Sequence, residues 1–475
     1  MPHSQTTPHC AKSKSALDEL TAFIEERRKA KGPVASLEKI ELEANRRFAA
    51  AQAEFIGEEL ARFDLDVPAI MINGMMHRQV LRCEQTYMTA AGPVSVERSL
   101  YSTRGDEERA VAVMEKKAGI VEYFTPLAAS HAAWVVAHLT PQEGEAMFAR
   151  FGGMSPSRAT LDRLPKALSS RWEDQREKFE ENLRDKQKVP KKAVTVGVSL
   201  DGVLVPMKDG ERQKKREDAL ASGKQTRGPA GYYEASVATL TFYDKVGEPL
   251  GTIRHGRMPE KGKLTLKDAL SKELDAVLEQ RPDLRVVKIA DGPKDNWTYL
   301  AELPNGKKGE EVLDFFHAAD HLHSSLAAAY GEDSPKCWAD FVTYRHCLRH
   351  DFDGIEKVIR HLRYLRDKHP RRRKIATELS YFRRHRSRMH YASLARRHLP
   401  IGSGMVEASC KTLVTQRLKR SGMRWRHEGG QAILTLRALE QSGRFDAAWR
   451  LLAATYVENV TLPSKVVDIG SRRLR

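Results

Sequence analysis

The sequence predicts a multidomain α+β protein in which a helical N-terminal region precedes an α/β domain that an all-helical insertion interrupts. Three observations carry this prediction. Apolar residues recur at helical spacing near the start of the chain, short apolar β-runs alternate with helical patterns after residue 192, and a strongly basic helical stretch follows them. A chain of 475 residues with 41% hydrophobic residues can bury several cores, so about two to four domains are expected.

The N-terminal region is predicted to contain a tail, helices and a hairpin. Residues 1–14 are polar and are expected to be a disordered tail, and residues 15–78 carry two helical patterns. Residues 79–122 change character, because two β-prone runs flank the turn Ala90-Ala-Gly-Pro, which is typical of a β-hairpin.

Residues 123–170 are predicted to form a region like a helix-turn-helix. Three helical patterns follow one another, Thr140-Pro141 is a good start for the second, and Gly152-Gly-Met separates the second from the third. In such a unit the third helix enters the major groove of DNA. The polar residues that it would present are Ser157, Arg158, Thr160 and Arg163. An ordinary helical bundle explains the pattern at least as well.

After a charged linker helix at residues 171–192, the pattern becomes α/β. The order of elements is three strands, a helix, a strand, a helix and a strand, which is the order of a ribonuclease-H-like domain. We therefore assign the remaining segments as follows: a ribonuclease-H-like domain from residues 193–335 and 400–440, a basic helical insertion at 336–399, and a C-terminal helix and tail at 441–475.

Charge identifies nucleic acid as the leading partner. The formal net charge is +17, and the stretch from Arg360 to His398 holds fourteen Lys and Arg against two acids. A solvated helical face explains such a block about as well. Aromatic residues interleave with the arginines, however, as a surface that grips phosphates and stacks bases requires. The aromatic residues are Tyr364, Tyr381, Phe382 and Tyr391, and the candidate DNA-binding arginines are Arg383, Arg384, Arg386 and Arg388.

Cysteine usage and hydropathy indicate a cytoplasmic protein without a membrane partner. The five cysteines are scattered and include no CxxC pair, which favours reduced thiols over a zinc knuckle or a disulfide framework. The first fifteen residues lack the apolar core of a signal peptide, and the most apolar window is too short to span a bilayer.

Two aspartates follow buried β-runs and are candidate metal ligands. Asp201 comes directly after the strand that ends at Leu200, and Asp291 comes directly after the strand that ends at Ala290. Functional side chains gather at the carboxyl ends of strands in α/β sheets, and two carboxylates placed together are unfavourable unless they share a cation. Either aspartate alone is more often a turn former.

The stretch from Gly402 to Trp425 supplies a third carboxylate within a basic setting. Ser403 between two glycines is a plausible N-cap, so a helix is expected to carry Glu407 in its first turns. A pair with Lys411 four residues on would explain the glutamate without any metal. The basic residues of the stretch, which we expect to hold DNA, are Lys411, Arg417, Lys419, Arg420 and Arg424.

A second cluster contains His317, Asp320, His321 and His323. On a helix Asp320 and His323 share a face, and an imidazole there could bind zinc or face a phosphate. Taken alone, the cluster favours a structural role for most of these histidines.

Taken together, these motifs resemble the DDE transposases of bacterial insertion sequences, most closely the ISKra-type group related to the mutator-like superfamily. The matching residues are Asp201, Asp291, Asp320-x-x-His323 and Gly-Ser-Gly-x-Val-Glu407-x-x-Cys-Lys. The resemblance implies a ribonuclease-H-like catalytic domain with Asp201, Asp291 and Glu407 as a metal triad. It also implies that Asp320 and His323 lie near the scissile phosphate.

The expected activity is therefore DNA transposition with two Mg²⁺ or Mn²⁺ ions. Such an enzyme binds the terminal inverted repeats of its element, cleaves at the ends and joins the 3′-hydroxyls to target DNA. Because two ends must be paired, a homodimer or larger assembly on double-stranded DNA is expected. The alternatives are a metal phosphohydrolase or nuclease centred on the histidine cluster and a non-catalytic helix-turn-helix regulator.

Overall fold

A computed structural model of the chain describes residues 15–32, 36–103, 110–208, 217–223, 231–303 and 309–463. The predicted tail at residues 1–14 and the end of the predicted C-terminal tail, 464–475, lie outside these ranges. The protein is a mixed α+β protein with two compact units, residues 1–171 with 449–475 and residues 172–448. Each unit contains one five-stranded sheet in its described part. Every helix in the described residues is too short or too polar to cross a bilayer.

The first unit combines helices with an antiparallel sheet of strand order β10-β1-β2-β3-β4. The strands are β1 Ala69–Ile72, β2 Met75–Thr89, β3 Gly92–Ser102, β4 Val111–Ala112 and β10 Val460–Thr461. The helices are α1 Ala16–Lys29, α2 Leu37–Ala61, α3 Val113–Ala118, α4 Pro126–His138, α5 Pro141–Phe151 and α6 Arg158–Asp174. The last of these runs three residues past the unit boundary.

The predicted hairpin is present as β2 and β3, but the sheet begins earlier than residue 79. Ile72 pairs with Met75 across a two-residue turn in which Asn73 and Gly74 have φ angles of 50° and 79°. Asn-Gly favours this positive-φ turn, whose twist matches the flanking strands. The turn therefore adds a strand inside the segment that was expected to be helical.

The helix α5 begins and ends where local chemistry predicts. The Thr140 hydroxyl accepts the backbone N–H of Glu143 at 3.2 Å, and the Glu143 carboxylate accepts the backbone N–H of Thr140 at 2.8 Å. This reciprocal cap satisfies two donors that a helix start leaves free. Gly152 and Gly153 then end α5 with φ angles of 80° and 76°.

Residues 172–192, most of the predicted charged linker helix, pack as part of the second unit. The helix α7 spans Arg176–Lys186 and buries Phe179 and Leu183. The ring of Phe179 lies 5.0 Å from the ring of Trp172, which is also buried. Burial of these apolar side chains is worth roughly 2 kcal/mol each, so the segment contributes to the core despite its charge.

The second unit is built on a mixed sheet of strand order β7-β6-β5-β8-β9. The strands are β5 Thr195–Pro206, β6 Tyr232–Tyr243, β7 Pro249–Arg257, β8 Arg285–Ala290 and β9 Glu310–Leu313. Neighbours β5, β6 and β7 run antiparallel, whereas β8 and β9 run parallel to β5. Apolar side chains of both sheet faces join one core with the helices that follow.

Two further helices of the second unit lie between strands of the sheet, and the others come after it. Their bounds are α8 Leu264–Gln280, α9 Lys294–Glu302, α10 Phe315–Tyr330, α11 Pro335–His350, α12 Gly354–Lys368, α13 Arg373–Arg384, α14 Tyr391–Arg396, α15 Gly404–Ser409, α16 His427–Gln441 and α17 Phe445–Ala454. The last of these ends in the first unit. The helices α10 to α14 lie in and around the predicted insertion, which is helical as expected.

The aromatic residues of the basic block are mostly core residues, contrary to the predicted stacking surface. Phe382 and Tyr391 are fully buried and Tyr381 is half-buried, whereas Tyr364 is 56% exposed. The reason is the helical period: α12 and α13 each bury one apolar face, and the arginines occupy the opposite face.

We predict that replacing Glu273 by Gln destabilises the second unit. Glu273 is 1% exposed and receives two hydrogen bonds from Arg444, at 2.9 and 2.5 Å. Breaking a buried ion pair leaves the other charge uncompensated, which costs about 3–5 kcal/mol. The free energy of unfolding in urea measures this. The exposed Asp268–Lys272 pair on the same helix provides the control, because Asp268→Asn should cost less than about 0.5 kcal/mol.

The Glu273–Arg444 pair also makes the stability of the protein depend on pH. Burial favours the neutral acid, but hydrogen bonds from Arg444 and the nearby His255 outweigh it and lower the pKa of Glu273 to about 2. The stabilisation is therefore complete above the ordinary value of 4.5 and is lost as the pH falls towards about 2. The difference in the free energy of unfolding between wild type and Glu273→Gln should therefore become smaller in acid. A difference that does not change with pH would contradict an ionised Glu273.

Candidate active site

The sheet register brings the two predicted aspartates to the same level. Ser199 of β5 pairs with Ile289 of β8 in the parallel ladder. Continuing that register by two residues places Asp201 level with Asp291 on neighbouring strands, which lie about 4.8 Å apart in a sheet. The sequence predicts Asp201 directly after the end of its strand. In the structure β5 instead continues to Pro206 along its antiparallel neighbour β6. Asp201 lies just beyond the last pair with β8.

The two carboxylates influence each other. Burial raises the pKa of Asp291, and the neighbouring charge of Asp201 raises it further, while His317 and Lys263 act in the opposite direction. The Oδ1 atom of Asp291 is buried and has no hydrogen-bond partner among the described residues. A buried acceptor without a partner, close to a second carboxylate, is an unfavourable arrangement that a shared cation would relieve.

A third aspartate lies at the same edge of the sheet, and sequence reasoning missed it. Ala290 pairs with Leu313 of β9, so Asp314 follows β9 at the level of Asp291. Asp314 is completely buried, and its Oδ1 atom accepts the backbone N–H of His317 at 2.7 Å, which caps α10. Asp314 directly follows an apolar β-run, as Asp201 and Asp291 do in the sequence. The same sequence signal could therefore have identified Asp314.

Asp314 joins this edge of the sheet to the segment that carries Glu407. Its Oδ2 atom accepts the backbone N–H of Ser403, directly before α15. The backbone N–H of Phe315 donates to the carbonyl of Ile401 at 3.0 Å, which adds a second link. At Gly402 a Cβ atom would lie 3.0 Å from the Phe316 ring and 3.5 Å from the Asp314 carboxylate, so this close approach favours glycine.

Glu407 lies on α15 and is oriented by Ser403. The Ser403 hydroxyl donates to Glu407 Oε1 at 2.6 Å instead of capping a backbone N–H. In the described structure Lys411 forms no ion pair with Glu407, so the simple pairing that could have explained this glutamate is not present. Glu407 is exposed, which leaves its second oxygen accessible.

A π-helical turn at Cys410–Thr415 follows α15 and connects it to Asp201. The thiol of Cys410 donates to Asp201 Oδ2 at 3.6 Å. Burial raises the pKa of this thiol, and the negative charges of Asp201 and Glu407 raise it further, so the thiol remains a protonated donor. Such π-turns occur frequently at functional sites, where they shift the position of side chains. Here the turn links the Glu407 helix to the first aspartate.

Lys263 is a second residue near the site that sequence reasoning missed. It has a positive φ of 54° in the turn between β7 and α8, and its ammonium lies 2.6 Å from Glu234 Oε1. A Cβ atom at Gly202 would collide with the Glu234 carboxylate at 2.0 Å, so glycine beside Asp201 leaves space for this pair. Lys263 supplies a positive charge near Asp291 in the metal-free protein. No motif in the sequence pointed to it.

The histidine cluster divides between different surroundings on α10. His317 lies near Asp291, and His321 lies 2.6 Å from Glu378 while its ring stacks on Tyr381 at 3.7 Å. His323 contacts Phe341 edge-on at 5.2 Å, and Asp320 is exposed. The four side chains therefore do not converge on one point, although the predicted nearness of Asp320 and His323 to a scissile phosphate stays a prediction.

The helix α13 reaches the loop that holds Asp291. A Cβ atom at Gly292 would lie 2.9 Å from the Tyr381 ring, so that ring packs directly on the residue after Asp291. Burial raises the pKa of the Tyr381 hydroxyl, and the charges of Asp291 and Asp314 raise it further. The helical insertion is therefore in physical contact with the candidate site.

Two of the predicted DNA-binding residues are not placed to bind DNA. Arg417 is 2% exposed and its guanidinium lies 5.5 Å from the Trp425 ring, so it is a core residue. Arg388 lies 4.1 Å over Trp297 and binds Glu311 at 2.7 Å. In both cases contacts with a tryptophan, and for Arg388 also with Glu311, decide the direction of the side chain, which the local charge pattern does not predict.

The other basic candidates lie on the surface. Arg386 pairs with Glu356 while remaining largely exposed. The other exposed candidates are Arg383, Arg384, Lys411, Lys419, Arg420 and Arg424.

The helix-turn-helix candidates surround the start of α6. The Ser157 hydroxyl accepts the backbone N–H of Thr160 at 3.2 Å, and Arg158 and Arg163 are exposed. The connection between α5 and α6 covers residues 152–157, which is longer than the usual turn of about three to four residues.

The carboxylates of this region are chemically suited to a hard divalent cation. In the described parts of the chain, no group of three His, Cys, Asp or Glu side chains is close enough to hold an ion as it stands. The unpartnered Asp291 oxygen, the adjacent Asp201 and the accessible Glu407 form the donor set that Mg²⁺ or Mn²⁺ prefers. These three residues are the ones that could hold such an ion.

No protein-family model matches this chain, and no curated protein is significantly similar to it.

We predict that Asp291→Asn stabilises the metal-free protein at neutral pH. A raised pKa means that the folded state disfavours the charged carboxylate, so stability falls as the pH rises through that pKa. Removing the charge should raise the free energy of unfolding by about 1 kcal/mol, measured by thermal and urea unfolding in EDTA. Mn²⁺ should raise the melting temperature of wild type but not that of the variant.

The exposed Asp295 provides the control for this experiment. Asp295→Asn removes a carboxylate from the first turn of α9, where it is favourable, so it should not stabilise the protein. If Asp291→Asn destabilises the metal-free protein, the two aspartates do not repel each other as described.

Proposed function

We propose that this protein is a DDE-type DNA transposase. It binds the terminal inverted repeats of its element, cleaves the DNA at the ends by metal-assisted hydrolysis and joins the 3′-hydroxyls to target DNA. The observation that carries the proposal is the register that puts Asp201 level with Asp291, together with the links from Asp314 and Cys410 to the Glu407 helix. These links support a shared site for three carboxylates that come from distant parts of the sequence.

The strand order supports a ribonuclease-H-like catalytic domain. The first strand, β5, lies at the centre, with β6 and β7 antiparallel on one side and β8 and β9 parallel on the other. The two candidate aspartates lie on the first and fourth strands, and the glutamate lies on a helix after the insertion. This is the arrangement that the sequence predicted for such a domain.

In the proposed mechanism the chain's own residues bind and position. Asp201 and Asp291 would hold the cations, and Glu407, which Ser403 fixes, would complete the donor set. When bound, two divalent ions activate the attacking oxygen and stabilise the departing oxygen of a phosphodiester. A water molecule attacks first and a DNA 3′-hydroxyl attacks in the joining step, so no side-chain nucleophile is required.

The charged surface supports DNA as the substrate. The protein carries a net charge of +17, and its exposed basic residues include Lys411, Lys419 and Arg424 beyond the Glu407 helix. Such side chains neutralise phosphates and release counterions from DNA. The start of α6 supplies further exposed arginines for recognition of the repeat. Two element ends require two active sites, so a homodimer or larger assembly on DNA is expected.

The structure favours the transposase over both alternatives. A phosphohydrolase centred on the histidines needs convergent side chains, whereas His321 and His323 have separate partners in Glu378 and Phe341. A regulator that only binds DNA gains nothing from a buried Asp291 beside Asp201, which costs stability.

We predict that Asp201→Ala, Asp291→Ala and Glu407→Ala each abolish DNA cleavage and joining while DNA binding persists. Removing one ligand of the metal site should reduce the rate on the order of 10²-fold or more, as loss of one group that stabilises a transition state does. The measurement is nicking and strand transfer of a DNA substrate that carries element ends, with Mg²⁺ or Mn²⁺.

The exposed Asp295→Ala variant is the matched control and should retain activity. Cleavage by any of the three triad variants at the wild-type rate contradicts the triad. Specific DNA binding by a wild-type protein that never cleaves favours the regulator, and cleavage lost only in His317 and His321 variants favours the phosphohydrolase.

Substitution of an exposed basic residue should have a different effect from substitution of a buried one. Lys419→Ala should weaken binding to all DNA sequences similarly and reduce the slope of log affinity against log salt by about 1. Arg417→Ala should instead lower the melting temperature, because the buried guanidinium packs on Trp425. Fluorescence anisotropy over a salt series and thermal unfolding measure the two effects. A reduced salt slope for Arg417→Ala without destabilisation contradicts the core role.

A further inference from the structure

A strip of exposed and partly exposed aromatic side chains runs along α10 and α11. Trp338 is 63% exposed and Phe316 is 51% exposed, although large aromatic residues are usually buried. We call this surface the aromatic strip. Its residues are Phe316, His323, Trp338, Phe341, Val342, Arg345 and Arg349.

The strip passes from one helix to the other. On α10, Phe316 and His323 lie seven residues apart on one face, a distance of about 10 Å along the helix. The ring of His323 contacts the ring of Phe341 on α11 at 5.2 Å, and that ring lies 5.7 Å from Trp338. The rings of His323, Phe341 and Trp338 therefore lie next to one another across the two helices.

Two arginines border the strip and have no carboxylate partner in the described structure. The Arg345 and Arg349 guanidinium carbons lie 5.4 and 5.5 Å from the centre of the buried Phe315 ring. They follow Trp338 and Val342 at helical spacing, so all four share one face of α11. A cation held over a ring without an ion pair remains available for a phosphate.

One end of the strip lies at the candidate active site. The Phe316 ring is close enough to Gly402 that a Cβ atom there would lie 3.0 Å from it. Gly402 and Ser403 lead directly into the helix of Glu407. A DNA strand that leaves the carboxylates across Phe316 would therefore pass along α10 and α11.

We propose that the aromatic strip binds unpaired nucleotides of the DNA strand beside the cleavage site. The bases stack on Phe316 and Trp338, and Arg345 and Arg349 bind the phosphates. That the strand comes from the cleavage site rests on the proposed function, whereas binding of single-stranded DNA can be measured without it.

Charge and geometry favour this occupant over an apolar protein surface. Unpaired guanidinium groups beside exposed rings are the combination that single-stranded DNA requires, because the phosphates are anionic and every base has a stacking face. Asp320 is exposed on the same face of α10 and repels phosphates, so the bases rather than the backbone should face α10.

The test compares a single-stranded oligothymidylate with a duplex of equal length by fluorescence anisotropy, in EDTA so that no cleavage occurs. Stacking of one base is worth about 1–3 kcal/mol, so Trp338→Ala should weaken single-strand binding about 5- to 150-fold. Duplex binding should change less than about 2-fold. Trp338→Phe keeps a ring and should retain most of the affinity, and Arg345→Ala should reduce the salt dependence of single-strand binding.

Phe352 is the matched control, because it is 61% exposed but lies outside the strip. Phe352→Ala should leave single-strand binding unchanged, and thermal unfolding checks that each variant folds. Equal losses on single strand and duplex, or unchanged single-strand binding in Trp338→Ala, overturn the proposal. So does a Trp338→Ala variant whose only change is a smaller assembly in light scattering, since the strip is then an interface between copies.

The outcome for the strip can be separated from the outcome for the proposed function. If wild type never cleaves DNA but loses single-strand affinity with Trp338→Ala, the transposase proposal fails and the strip stands. If wild type cleaves and Trp338→Ala changes neither cleavage nor single-strand binding, the strip fails and the transposase proposal stands.

Discussion

The buried carboxylate of Asp314 is the constraint on which the candidate site depends. It accepts the backbone N–H groups of His317 and Ser403, so one side chain caps α10 and fixes the approach to the Glu407 helix. A buried carboxylate is stable only when its oxygens are hydrogen-bonded, and both oxygens here are. Asp314 therefore links the residues before the helical insertion to those after it. The position of the Glu407 helix is fixed by this link although the insertion separates the two segments in sequence.

The site combines this rigid link with an unfavourable arrangement of charges. Asp201 and Asp291 repel each other beside an unpartnered, buried oxygen, and Lys263 offsets only part of that cost. Stability is thereby lost at the point where binding of a cation would recover it. Cys410 adds a neutral donor to Asp201 because its thiol stays protonated. The surroundings thus position the carboxylates without neutralising them, as the proposed metal-dependent activity requires.

Several sequence expectations differ from the structure for one shared reason. Asn73-Gly74 starts the first sheet early, Asp201 lies inside β5, and Arg417 is buried beneath Trp425. In each case a partner that is distant in sequence, or a turn type, overrides the local pattern. The aromatic residues of the basic block show the same effect, since the helical period directs Phe382 into the core while Trp338 remains exposed.

The sequence by itself determined the mixed α+β class, the alternation of strands and helices, the helical insertion and the three carboxylates proposed for the site. These features follow from hydrophobic period and from residue type, which are local properties. Only the tertiary structure decided that Asp201 and Asp291 share a level, that Asp314 holds the Glu407 helix, and which arginines reach solvent. Those outcomes depend on strand register and on contacts between distant segments, which no local pattern encodes.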